Sequence, residues 1–123
     1  MASFESKTSN ELFSTGLSLF NEQQFFDCHE VLEALWNRES EPERQFTQGL
    51  IQIAVGIYHL LRENRVGAQK LLPRGLKRIA AFQPTHRAVD VAKLCTDVES
   101  LLRDIELGEK PTAEISVPKI SFN

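Results

Sequence analysis

The sequence predicts an all-α fold: a compact bundle of about five helices, built from two helical hairpins, a C-terminal helix and an extended tail. Three observations carry this. Apolar residues recur at intervals of three and four through most of the chain, the period of an amphipathic helix. Capping residues and helix stops fall between those stretches. No two alternating runs lie close enough to suggest a paired sheet. With 123 residues, 41% hydrophobic and 25% charged, residues 1–123 form a single domain with a genuine core.

The first helix begins at Thr8. Thr8 and Glu11 have capping-box spacing, and Leu12, Phe13, Gly16, Leu17, Leu19 and Phe20 follow at helical intervals. Residues 21–24 form a turn. Asp27 is read as the cap of the second helix with Glu30 as its box partner, and that helix runs to about Glu39. Ser40 caps the third helix, residues 41–63, with Pro42 in its first turn, where the missing N–H does no harm. Phe46, Leu50, Ile53, Ile57 and Leu61 make its apolar stripe. A second stripe of Gln45, Gln48, Gly49, Gln52, Gly56 and His59 indicates a neighbour on that side too. Glycine weakens a helix, and close helix approach or room for a ligand would offset that. The fourth helix covers residues 66–82, and Pro73 is expected to kink or divide it. Residues 83–89 read as a loop holding a solvated His86. Asp90 caps the fifth helix, which stops at Gly108. The tail, residues 109–123, alternates at Ile115, Val117, Ile120 and Phe122, and either crosses the bundle or meets another subunit. A faint duplication at a spacing of 40 aligns Gly16 with Gly56, Phe20 with Leu60, Phe26 with Val66 and Leu32 with Leu72.

The bulk properties limit the function. A net charge of −3 argues against a dedicated nucleic-acid binder. The one basic cluster, Lys70, Arg74, Lys77 and Arg78, has helical spacing and reads as a solvated face. Cys28 and Cys95 make no disulfide framework and no C-x-x-C pair. No apolar run is long enough to span a bilayer, and no secretory signal is evident. The expectation is a cytoplasmic protein without membrane or nucleic-acid partners.

The densest chemistry lies at His29, Glu33 and Trp36, spaced four and three apart, so that a helix places them on one face. Phe25, Phe26 and Leu32 beside them predict that this face points inward. A buried histidine and carboxylate need partners. His29 and Glu33 can bind one divalent ion, with His59 as third ligand and Glu30 where a metalloprotease keeps its general base. Such a set suits zinc, manganese, iron or nickel. Gln48 and Gln52 fit an outer shell, and Arg62 and Asn64 either cap carbonyls or bind an anion. The alternative is a structural network in which Glu33 accepts from His29 and Trp36, closed by Gln48, Gln52 and His59.

These motifs resemble the domain of unknown function 309 family of small bacterial and archaeal proteins. The resemblance rests on Leu19-Phe20-Asn21, Phe25-Phe26, His29-Glu30-Val31-Leu32-Glu33 with Trp36, and Gln48-Gly49-Leu50-Ile51-Gln52 with Ala54. His59, Arg62 and Asn64, then Gly67-Ala68, Leu71-Leu72 and Gly75-Leu76, complete it. Two departures are Asn37, where arginine commonly follows the tryptophan, and Glu63, where glycine often precedes the asparagine. The resemblance implies a compact helical bundle and a suspected metal site with guessed hydrolase activity. Two readings follow. One is a helical metal or small-ligand protein, a hydrolase if Glu30 and Glu33 handle protons. The other is an interaction module that contacts a peptide or a second copy of itself.

Overall fold

The computed structural model describes residues 4–122. Five helices dominate them: α1 (Ser9–Asn21), α2 (Phe25–Trp36), α3 (Glu43–Leu61), α4 (Arg65–Ala80) and α5 (Val91–Leu107). Each packs against the next in sequence, as short helix–helix turns require. Leu17, Phe20, Leu32, Leu35, Phe46, Leu50, Ile53, Ile57 and Leu72 are fully buried along the shared axis. No helix among the described residues is long and apolar enough to cross a membrane.

Local chemistry explains the boundaries. Thr8 and Glu11 form the expected reciprocal box on α1, at 3.0 Å each way. These bonds hold the exposed Glu11 carboxyl below its usual range: the Thr8 backbone N–H contributes most, then the Thr8 hydroxyl. The α2 start departs from expectation. Gln24 is its N-cap, without a side-chain bond, and Asp27 lies inside the first turn. Burial of Phe25 against Phe20, edge to face at 5.1 Å, starts the helix three residues early, so packing overrides the better cap. Pro42 takes the N-cap of α3, and Ser40 does not cap it. Pro73 neither ends nor divides α4. The acceptor it deprives is the carbonyl of Gln69, on the exposed side of the helix, where water can serve.

The duplication is physical. A Cβ on Gly16 would meet the Leu32 side chain at 2.5 Å, and a Cβ on Gly56 would meet Leu72 at 2.8 Å. Gly49 likewise lets α3 approach Ile79 and Gly75 of α4. Both hairpins turn through the same Schellman arrangement. The Gln23 and Gln24 N–H groups donate to Phe20 and Leu19; forty residues on, those of Glu63 and Asn64 donate to Leu60 and His59. Gln23 and Glu63 both occupy the left-handed region, at φ +61° and +64°.

Residues 83–89 are not a plain loop. Two short strands, β1 (Thr85–His86) and β2 (Val89–Asp90), pair antiparallel, Thr85 with Asp90 and His86 with Val89. The two-residue turn between them puts Arg87 and Ala88 at positive φ, a conformation normally signalled by Asn-Gly. Arg-Ala gives no such signal. Asp90 caps α5 by accepting from the Lys93 N–H at 3.0 Å, and Gly108 ends it at φ +65°. The tail crosses the bundle. Asn21 clasps the Ile120 backbone with two hydrogen bonds, at 2.7 and 2.9 Å, and Phe122 bridges to Val89. Asn123 lies outside the described residues.

Candidate functional site

The His29–Glu33–Trp36 face points inward only in part: His29 and Trp36 are half-buried at the edge of the core and Glu33 is exposed. The buried face of α2 is Phe25, Cys28, Val31, Leu32 and Leu35. Glu33 is 57% exposed, Phe26 51% and His29 28%. The apolar arc starts at Phe25 rather than Phe26, which rotates the motif to the rim of the helix. Cys28 takes the core position instead, and burial pushes its thiol up to about 12.

His29 Nε2 stands 3.0 Å from Glu33 Oε2 across one helical turn. Glu33 accepts, so in the neutral imidazole the proton is on Nε2 and Nδ1 is a bare acceptor. That Nδ1 is buried and has no hydrogen-bond partner. His29 lines a small pocket between α2 and α3 with Phe25, Phe26, Val55, Tyr58 and His59, about 200 Å³ in volume and almost wholly apolar. Phe26 leans on Tyr58, with ring centres 5.7 Å apart. His59 belongs to the pocket, but its Nδ1 lies 3.4 Å from Asn64 Nδ2. Asn64 caps α4 by accepting from the Gly67 N–H, which turns its amide nitrogen towards His59 as donor.

The other expected residues lie elsewhere. Trp36 is half-buried beneath the Arg44 guanidinium, 3.7 Å from the ring centre. Gln52 accepts from Arg78 Nε at 3.0 Å, and Gln45 accepts from the same guanidinium. Gln48 lines the cleft beside them. The amide stripe of α3 thus faces α4, away from His29 and Glu33, and the single network joining His29, Trp36, Gln48, Gln52 and His59 does not form. Arg62 is exposed, 5.5 Å from the Tyr58 ring. Glu30 is exposed and does not line the pocket. Among the described residues no group of three His, Cys, Asp or Glu side chains converges as a metal ligand set.

One cluster escaped the sequence reading. His86 is not solvated: its Nε2 meets Glu43 Oε1 at 2.6 Å. Arg87 bonds Glu39 at 2.9 Å and reaches Glu43 at 3.5 Å. The buried Thr47 hydroxyl donates to Glu39 at 2.5 Å. These groups clamp the β1–β2 hairpin onto the start of α3. The pairing needs the hairpin turn, which Arg87 and Ala88 conceal.

Residues 13–71 match the family model "Domain of unknown function (DUF309)". The chain belongs to this family. It is 33% identical over 90 residues to "Uncharacterized protein YpuF" of Bacillus subtilis (strain 168), across 68% of this chain and 50% of that protein. It is 21% identical over 108 residues to an "Uncharacterized protein" of Aquifex aeolicus (strain VF5), across 87% of this chain and 32% of that one. The chain therefore spans half or less of the length of these relatives. The matched stretch covers most of α1, all of α2 and α3 and the first part of α4, and so contains every residue of the α2–α3 pocket.

Proposed function

We propose that the chain is a small-molecule-binding helical module whose pocket between α2 and α3 takes one compact apolar ring carrying an N–H or O–H donor. The supporting observation is the combination at His29: a buried Nδ1 without a partner, on a residue that lines an otherwise apolar pocket. Leaving a buried acceptor unmatched costs about 1–3 kcal/mol, and a ligand donor brought against it recovers that loss. Glu33 is then a positioning residue that keeps the proton on Nε2. Phe26, Val55 and Tyr58 supply the apolar contact, and His59 closes the wall.

Paired titrations followed by amide chemical shifts test this, with p-cresol as ring plus donor and toluene as the ring alone. The expected result is saturable binding at Phe26, His29, Tyr58 and His59, with cresol about tenfold tighter than toluene. His29→Phe should remove that preference and Val55→Trp should block both ligands. Absence of binding by either ring sinks the proposal. Elemental mass spectrometry on protein purified without chelator decides the competing occupant. About one ion per chain, lost in a His29→Ala, Glu33→Ala, His59→Ala variant, would replace the organic ligand by a divalent metal.

A further inference from the structure

The basic cluster on α4 is more than a solvated face. This helix carries Arg65, Lys70, Arg74, Lys77 and Arg78 and no acidic residue, in a chain of net charge −3. Lys70, Arg74 and Arg78 succeed one another at i, i+4, a like-charge spacing that weakens a helix by a few tenths of a kcal/mol per pair. Among the described residues no carboxylate pairs with Lys70, Arg74, Lys77 or Arg78. Arg78 is instead oriented by two neutral amides, Gln45 and Gln52.

Three of these cations, Arg74, Lys77 and Arg78, line an open groove. One lobe, about 530 Å³, is walled by Gln45, Arg74, Lys77, Arg78 and Ala81. The second, about 240 Å³, is shared with Gln45 and Arg78 and adds Trp36, Glu41, Arg44 and Gln48. Arg44 covers one side of the Trp36 ring, and its Nε is buried with no hydrogen-bond partner. The groove thus has a strongly cationic end and an end with an aromatic ring, amides and one carboxylate.

We propose that this groove binds a phosphate monoester of a hydroxylated small molecule. The phosphate lies among Arg74, Lys77 and Arg78, where guanidinium forks match its oxygens. The hydroxylated body extends past Gln45 towards Arg44, Gln48 and Glu41, which accepts from hydroxyls and disfavours a second phosphate there. The volume suits a small ligand. Within the groove Arg74, Lys77 and Arg78 converge on one small volume, which suits a single phosphate, and the net charge of −3 disfavours a nucleic-acid backbone. The proposal is independent of the His29 pocket, which lies on the α2 side of α3.

The test is a titration at 0.15 M salt with ribose 5-phosphate, inorganic phosphate, ribose and a single-stranded oligonucleotide, read on backbone amides. Expected are saturable shifts at residues 44–48 and 74–81 with ribose 5-phosphate, at a Kd below about 1 mM. Inorganic phosphate should bind the same amides more weakly, and ribose should not bind. Arg74→Gln with Lys77→Gln, both at exposed positions, should weaken binding about tenfold. Arg74→Lys with Lys77→Arg should restore most of it. Shifts that do not saturate, or that persist unchanged in the glutamine variant, overturn the proposal. So does an oligonucleotide that binds more tightly with length and loses affinity steeply with salt, which would make the groove a nucleic-acid surface.

Discussion

Gln23→Gly should stabilise this protein, and Glu63→Gly should not, although the two residues occupy the same position in the two hairpins. Each is the first residue past a helix C-cap and each is held in the left-handed region, at φ +61° and +64°. That conformation costs an L-residue roughly 1–2 kcal/mol. Glycine removes the cost but gives back about 0.5–1 kcal/mol through the freedom it adds to the unfolded chain. The difference favours Gln23→Gly by about 0.5–1 kcal/mol, a rise in Tm of roughly 2–4 °C for a domain of this size. No side-chain hydrogen bond or ion pair of Gln23 offsets it among the described residues. Glu63 differs in one respect: its Oε2 accepts from the Thr112 hydroxyl at 3.1 Å, tying the α3–α4 turn to the tail. A hydrogen bond to a charged acceptor contributes about 1.5 kcal/mol. Its loss should cancel the relief of strain, leaving Glu63→Gly neutral or mildly destabilising. Thermal and urea melts of both variants, repeated in a Thr112→Val background, separate the terms. Once Thr112 has no hydroxyl, Glu63→Gly should gain what Gln23→Gly gains. If Gln23→Gly lowers Tm, or if Thr112→Val leaves the Glu63→Gly effect unchanged, the reasoning fails.

Three further outcomes are expected. Gln24→Asn should give α2 the side-chain cap that Asn64 gives α4, raising stability by about 0.5–1 kcal/mol in urea melts, while Asn64→Ala should cost about as much. Arg87→Ala leaves Glu39, only 10% exposed, with Thr47 as its remaining partner, and should lower stability by about 2–3 kcal/mol with an unchanged urea m-value. The Cys28 thiol keeps its proton to about pH 12 in the folded chain but loses it near pH 9 when unfolded. The folded state therefore binds the extra proton in that window, and stability falls as pH rises through it, by up to about 1.4 kcal/mol per pH unit. A Cys28→Ala variant lacks this slope, so the stability gap between it and the parent should shrink above pH 9. A gap that stays constant would show that Cys28 does not titrate on unfolding.

The helices were legible because each rests on signals local in sequence. The Thr8 box, the Asp90 cap, the Gly108 stop and the glycines facing Leu32 and Leu72 all act within their own helix or hairpin. The α2 cap was misread because Asp27 is the better capping residue, while Phe25 gains more by burial. The inward face is a separate misreading: Phe25, Cys28, Val31, Leu32 and Leu35 are buried rather than Phe26, which leaves Glu33 exposed and Trp36 half-buried at the edge of the core. His86, Arg87 and their glutamates were illegible for another reason. Glu39 and Arg87 are far apart in the chain, and the turn that joins them uses residues common in helices. Glu63 departs from the family pattern of glycine before the asparagine, and its φ of +64° supplies the physical reason that glycine fits there.

Comparing the two hairpins separates framework from site. Positions that hold the helices together repeat at a spacing of 40: Gly16 with Gly56, Phe20 with Leu60, Cys28 with Ala68 and Leu32 with Leu72, all buried. The chemistry does not repeat. His29 corresponds to Gln69, Glu33 to Pro73, Trp36 to Leu76, Tyr58 to Ser18 and His59 to Leu19. Folding alone therefore needs neither imidazole, since the sister hairpin makes the same turn and the same glycine–leucine contact without them. The differing residues gather at the seam between hairpins, where α2 of the first meets α3 of the second, and this seam holds the pocket. The cations of α4 follow the same logic. Arg74 and Arg78 correspond to Ala34 and Arg38, and Lys77 to Asn37, so the first hairpin lacks the basic row. A chain that reuses one hairpin twice has kept its packing and placed two of the three unmatched buried polar side-chain atoms among the described residues, His29 Nδ1 and Arg44 Nε, on residues that line cavities between elements.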